Sequence, residues 1–121
     1  MELKSTLQVF NMSEVKDKPG IIAGQTLKPL VGFTEHPSER IRVLIASFES
    51  DLLENLHWHL IEAFHYVVSG RAIVRDIEGK SYDVGPGTVV YAPAGIGGSH
   101  EWDIQEKLQL ISVRGTTDPA C

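Results

Sequence analysis

Short runs of apolar residues separated by polar turn sequences make up most of this chain. From about residue 40 onward the runs are rich in β-branched and aromatic residues, and helical periodicity is hard to find. Turn-forming residues recur at intervals of roughly 8 to 12 residues, the spacing typical of a sandwich or barrel. The pattern therefore predicts an all-β fold. The predicted strands are IRVLIASFE (41–49), NLHWHL (55–60), FHYVVS (64–69), RAIVRDI (71–77), SYDV (81–84), TVVYA (88–92) and LQLISVR (108–114).

The first forty residues are less regular. Pro19-Gly20 and the segment LKPLVGF (27–33) break any long element, which indicates short strands or an arm lying on the body. Such an arm could pair with a second subunit, because small barrels leave sheet edges that must be covered. With 121 residues the chain fits one domain: an arm over 1–39, a barrel core over 40–115 and a tail over 116–121.

Charge and composition argue against several classes of partner and of chemistry. The net charge is −5 and the 11 Lys and Arg are scattered, so a nucleic-acid partner is not expected. No segment approaches the roughly 20 apolar residues that span a bilayer, and the start lacks the apolar stretch of a signal peptide, so we expect a cytoplasmic protein without a membrane partner. The single cysteine, Cys121, is the last residue, which argues against internal disulfides or a nucleophilic cysteine.

Histidine is concentrated where burial is expected. His57 and His59 flank Trp58, and alternate residues of a strand project from the same face, about 7 Å apart. His100 arrives on a later strand, after a Pro- and Gly-rich corner. Three neutral imidazoles from two strands would make a facial site for a divalent ion with open positions. His36, beside Pro37, is expected at the surface.

These residues resemble the cupin superfamily, whose motifs read G-x5-H-x-H-x3/4-E-x6-G and G-x5-P-x-G-x2-H. HWH (57–59) with Gly70 is similar to the first motif, and GTVVYAPAG (87–95) matches the G-x5-P-x-G part of the second. The resemblance covers about residues 40–114. It implies a single-domain double-stranded β-helix, a jelly-roll-like barrel, with a metal site. Because aromatic residues are the usual filling of such barrels, Phe64, Tyr66, Tyr91 and Trp102 are expected to be packing residues.

Two positions depart from the family pattern. The position of the family's metal-binding Glu holds Ala63, and the nearest candidates are Glu62 and His65. Strand alternation favours His65, which shares a face with Ala63 and is our candidate acid/base or fourth ligand. Glu62 would reach the metal only if the preceding turn were one residue tighter. His100 follows Gly95 after four residues instead of two, and a Gly-rich loop can absorb that length by bulging.

The resemblance implies several functions. A three-histidine site without the Glu is similar to that of cupin dioxygenases, so we expect an Fe(II)-dependent enzyme acting on a small organic molecule. A non-redox isomerase, decarboxylase or lyase using Zn, Ni or Mn as a Lewis acid is the alternative, as is a non-catalytic binding or sensor protein. The family's small members also suggest a homodimer.

Overall fold

The computed structural model describes residues 3–115, which confirm the all-β prediction. This part contains eight strands and two short 3₁₀ helices, Met12–Glu14 and Ile96–Gly98. Within it, no helix is long and apolar enough to cross a membrane. The predicted tail, 116–121, lies outside the described residues. The strands are β1 (Lys18–Pro19), β2 (Gln25–Val31), β3 (Ile41–Phe48), β4 (Leu53–His57), β5 (Ala63–Asp76), β6 (Ser81–Val84), β7 (Val89–Ala92) and β8 (His100–Gly115).

Two long strands, β5 and β8, organise the fold. They pair antiparallel from Ala63 opposite Arg114 to Asp76 opposite His100. The first part of β5 also pairs with β7, and its last part pairs with β6. The second half of β8 pairs with β3, which continues to β2 and β1, while its first half pairs with β4. Each half of the β5–β8 pair therefore carries its own set of neighbouring strands.

Gly70 marks the point where β5 passes from one half to the other. The β5–β8 register shifts around this residue, whose φ is +91°. A Cβ atom built at Gly70 would lie 2.1 Å from the carbonyl oxygen of Lys107, so only glycine allows this approach of the two backbones. The shift also changes which positions are buried, from odd-numbered residues before the bend to even-numbered residues after it. The buried residues are Ala63, His65 and Val67 before the bend, and Ala72 and Val74 after it.

The hydrophobic core draws on both halves. One half contributes Phe48, Val67, Leu108 and Leu110, and the other contributes Val74, Val84, Trp102 and Ile104. Full burial of an aliphatic or aromatic side chain of this size contributes roughly 1.5 to 3 kcal/mol. The same inward face also carries three buried polar residues, His65, His100 and Ser112, at the histidine-bearing end of the molecule.

Some strand boundaries differ from the predicted ones. The runs FHYVVS and RAIVRDI form the single strand β5, because Gly70 bends the chain without ending the pairing. The strand predicted over NLHWHL ends at His57, so His59 lies beyond it. β8 begins at His100, well before the predicted LQLISVR.

The expectation that the aromatic residues pack inside the barrel is wrong for three of the four. Trp102 is 1% exposed and lies in the core, whereas Phe64, Tyr66 and Tyr91 are 37%, 39% and 56% exposed. Phe64 and Tyr66 alternate with the buried His65 on β5 and so lie on the outer face. Strand alternation, more than aromatic character, decides their position.

Candidate metal centre

Three of the predicted ligands lie together. His57 is the last residue of β4 and stands opposite His100, the first residue of β8, while His59 follows two positions after His57. One ligand atom from each lies within 4.8 Å of the other two. The ring centroids are 4.4 Å apart for His57 and His100, and 5.0 Å apart for His57 and His59. This spacing suits three nitrogen ligands around one ion.

The surroundings keep His59 and His100 neutral, the form that binds a metal. Burial lowers the pKa of His59 to about 4, helped by the positive charge of Arg114. Burial also lowers the pKa of His100 to about 3, helped by the neighbouring histidines. The Nδ1 of His57 must donate its hydrogen bond to the carbonyl oxygen of Asn55, 2.7 Å away, because a carbonyl only accepts. The neutral form of His57 thus has its lone pair on Nε2, with the ring fixed as in many metal sites.

His100 has two features that act in opposite directions. Its Nε2 is buried without a hydrogen-bond partner, as expected of an atom that binds a ligand. Its Nδ1 accepts a hydrogen bond from the indole N–H of Trp102, at 2.6 Å. A neutral ring in this arrangement carries its proton on Nε2. Binding an ion through Nε2 requires the ring to lose that proton or to turn, so the contact with Trp102 opposes metal binding by His100.

His65 lies beside this group but outside it. It is 5% exposed, and its ring centroid is 5.5 Å from that of His100. Its Nδ1 is hydrogen-bonded to the hydroxyl of Ser112 at 2.7 Å, and its Nε2 is buried without a partner. Burial lowers the pKa of His65 to about 4, with a further contribution from Arg114. The residue is therefore a neutral imidazole with one unused nitrogen in the interior.

Glu62 is not brought to the three histidines. It lies before the start of β5, is exposed, and accepts a hydrogen bond of 2.9 Å from the hydroxyl of Tyr91. Reaching the group would require Glu62 to leave this contact and the turn to rearrange.

A different carboxylate, which sequence reasoning missed, lies at the site. The Oε1 of Glu54 is 3.6 Å from the Nε2 of His57, and its side chain is only 19% exposed. Burial raises the pKa of this carboxyl, against the attraction of His57 and Arg114. On a regular strand, residues three apart face opposite sides. Here Glu54 pairs with Trp102 and His57 with His100, so two residues oppose one and the bulge turns both side chains to the same face.

A cleft reaches one member of the histidine group, His100. It has a volume of about 410 Å³ and lies between β6 and β7. Its lining includes Val84, Val90, Tyr91 and His100. A small organic molecule fits a space of this size.

The comparison with protein families agrees with the fold. The Cupin domain family matches residues 49–114, which is more than half of the chain. The chain therefore belongs to the cupin family, as its motifs predicted. No curated protein matches it in sequence.

Solved structures with the same fold have low sequence identity to this chain. The polyketide cyclase RemF from Streptomyces resistomycificus is 18% identical, with a TM-score of 0.80 over 94% of this chain and 82% of that one. An RmlC-like cupin from Shewanella frigidimarina is 15% identical, with a TM-score of 0.74 over 99% and 98%. An oxalate decarboxylase from Lactobacillus farciminis is 22% identical, with a TM-score of 0.72 over 95% and 35%. At these identities the similarity establishes the fold alone.

Proposed function

We propose that the protein is a metal-dependent enzyme acting on a small organic molecule, with a divalent ion held by His57, His59 and His100. The observation that carries this proposal is the position of their ligand atoms within 4.8 Å of one another. When bound, such an ion would polarise a substrate oxygen as a Lewis acid and leave coordination positions open for the substrate. Imidazole ligands suit Fe(II), Zn and Ni, whereas Mn prefers oxygen ligands and would need a carboxylate or water beside the histidines.

Two other side chains are suited to move protons at this site. His65 presents a buried, unpartnered Nε2 that can accept a proton from a substrate or return it. Glu54, whose pKa is raised by burial, can hold a proton closer to neutral pH than an exposed carboxyl. In this proposal His65 is the catalytic residue. Glu62 is an alternative carboxylate ligand, which would bind the ion only if the turn after His59 rearranged.

His65 and Glu54 favour isomerase, decarboxylase or lyase chemistry over the dioxygenase reaction that the three histidine ligands suggest. Proton transfer needs a positioned acid or base, which the site offers in His65 and Glu54. The solved structures with this fold include a polyketide cyclase and an oxalate decarboxylase. A dioxygenase remains the second candidate because three histidines leave room for both O₂ and substrate.

The two reaction classes differ in their need for oxygen. Protein loaded separately with Fe(II), Mn(II) or Zn(II) is incubated with a panel of small organic acids, in air and under nitrogen, and substrate loss is followed by proton NMR. We expect turnover with Mn(II) or Zn(II) that is the same in air and under nitrogen. Turnover restricted to the Fe(II) protein in air, with matching O₂ uptake, would identify a dioxygenase instead.

We also propose that the protein is a homodimer that uses its N-terminal segment. Leu3, Leu7 and Val9 are 94%, 80% and 86% exposed, which is unusual for three apolar residues in one short segment. A second copy of the chain would cover them. Light scattering should give twice the mass of one 13.4 kDa chain, and a variant beginning at Met12 should shift toward the monomer. A full-length protein with the mass of one chain would contradict this proposal.

A further inference from the structure

Two arginines face each other inside the barrel, close to the histidine group. Arg42 on β3 pairs directly with Arg114 on β8. Both occupy inward positions, because Ala46 and Phe48 on β3, and Leu110 and Ser112 on β8, share their alternation and are buried. Like charges directly opposite each other on neighbouring strands repel. A chain that places two guanidinium groups here therefore needs a negative charge between or beside them.

The described residues, 3–115, do not supply that charge in an ion pair. The Nε atoms of both arginines are buried without a hydrogen-bond partner. Among the ion pairs of residues 3–115, none includes either arginine. Glu54 attracts Arg114 without forming an ion pair with it, and the guanidinium carbon of Arg42 lies 5.7 Å from the ring centre of Phe33. Two buried donors are thus left without a partner among residues 3–115.

A small cavity lies at these donors. It has a volume of about 100 Å³ and is lined by Phe33, Arg42, Leu44, Ser112 and Arg114. A water molecule occupies about 30 Å³ in the liquid, so the cavity holds a group of only a few heavy atoms. Its lining combines two planar cationic groups and a hydroxyl with two apolar side chains, which suits a carboxylate on a short carbon chain.

Ser112 connects this cavity to the candidate metal centre. Its hydroxyl lies in the cavity lining and is hydrogen-bonded to the Nδ1 of His65, whose ring centroid is 5.5 Å from that of His100. The cavity therefore lies beside the histidine group, separated from His100 by the hydrogen-bonded pair of Ser112 and His65.

We propose that Arg42 and Arg114 bind the carboxylate of the substrate, so that the substrate is a small organic acid whose reacting carbon is directed toward His57, His59 and His100. The placement of the reacting carbon rests on the proposed metal-dependent function, whereas the carboxylate site itself does not. Arginine pairs recognise carboxylates through parallel N–H···O hydrogen bonds, which fix the orientation of the bound molecule as well as its affinity.

The direct test is an NMR titration of the metal-free protein with propionate, observing the Nε–H resonances of the arginines. Propionamide serves as the neutral analogue of the same shape, and inorganic phosphate as the alternative anion. We expect propionate to shift the resonances of Arg42 and Arg114 with saturation, and propionamide to leave them in place. The Arg71 resonance should not move, because this arginine is exposed and outside the cavity lining.

Variants give the second arm of the test. Arg42→Gln and Arg114→Gln should each weaken propionate binding about 10-fold or more, the range for lost hydrogen bonds to a charged group, while Arg71→Gln should not change it. The melting temperature of Arg42→Gln should stay the same or rise, because this substitution removes a like-charge repulsion, whereas Arg114→Gln also removes an attraction to Glu54.

Three results would overturn the proposal: equal binding of propionate and propionamide, phosphate binding in preference to propionate, or wild-type affinity in both cavity variants. If either variant fails to fold, the titration of the wild-type resonances still decides the question. Because the protein is metal-free in this experiment, a loss of the carboxylate site and a failure of metal binding are observed separately.

Discussion

Replacing His57 with alanine is expected to weaken the binding of a divalent metal at least about 100-fold, since it removes one of three ligands where loss of a supporting residue alone weakens binding 10- to 100-fold. His100→Ala should have a similar effect. Neither residue belongs to the hydrophobic core cluster, so both variants should remain folded. The measurement is calorimetric titration of the metal-free proteins with Zn(II), together with circular dichroism.

His57→Ala is the cleaner of the two substitutions. His57 is partly exposed, and among residues 3–115 its side chain contacts the carbonyl of Asn55, Glu54 and the rings of His59 and His100. His100→Ala also removes the acceptor of the buried indole N–H of Trp102, which costs about 1 to 3 kcal/mol in stability. His36→Ala is the control, because this ring stacks on Phe10 and is not part of the group. Unchanged stoichiometric metal in both ligand variants would eliminate the proposed site.

A second large effect is expected at His65. His65→Gln should slow turnover or weaken metal binding about 10-fold or more, the usual scale for acid/base residues and residues that support a metal site. The physical reason is that its neutral imidazole, held by Ser112, lies 5.5 Å from His100 with its Nε2 unused. Glutamine keeps a polar side chain of similar length, but its amide is not a base and so cannot take a proton from the substrate.

Glu62→Gln is the matched comparison for His65→Gln. Glu62 is exposed and hydrogen-bonded to Tyr91, so its substitution should change metal binding and turnover less than twofold. The opposite pattern, with Glu62→Gln emptying the site and His65→Gln leaving metal and activity intact, would mean that the turn after His59 tightens and that Glu62 is the displaced carboxylate ligand.

The fold could be predicted from the sequence wherever it depends on neighbouring residues alone, through the alternation of apolar and polar positions and through turn-forming residues. Alternation over Ala63, His65 and Val67 predicted the buried face of β5, because the pleat alone fixes it. The role of Gly70 was not predictable from the same information. A Ser-Gly pair signals a turn, yet here it bends a continuing strand because the carbonyl of Lys107 approaches from a distant part of the chain.

The candidate site was predictable only in part, because some of its residues are brought together by pairing between strands that are distant in the sequence. Family motifs identified His57, His59 and His100 as a group. Glu54 was not predicted as part of the site, because a residue three positions before His57 should lie on the other face of the strand. The bulge between β4 and β8 turns Glu54 to the same face as His57. Arg42 and Arg114 lie far apart in sequence and belong to no motif. Their proximity depends on strand pairing, which a single sequence does not reveal.

Anomalous X-ray diffraction from crystals of the metal-loaded protein tests the central claim most directly. Data collected on either side of the absorption edge of the bound element locate that element without assumptions about its ligands. We predict one anomalous peak per chain, about 2.0 to 2.2 Å from a ring nitrogen of each of His57, His59 and His100. A protein that binds the ion stoichiometrically in solution but shows the peak elsewhere, or shows none between these three histidines, would contradict the account.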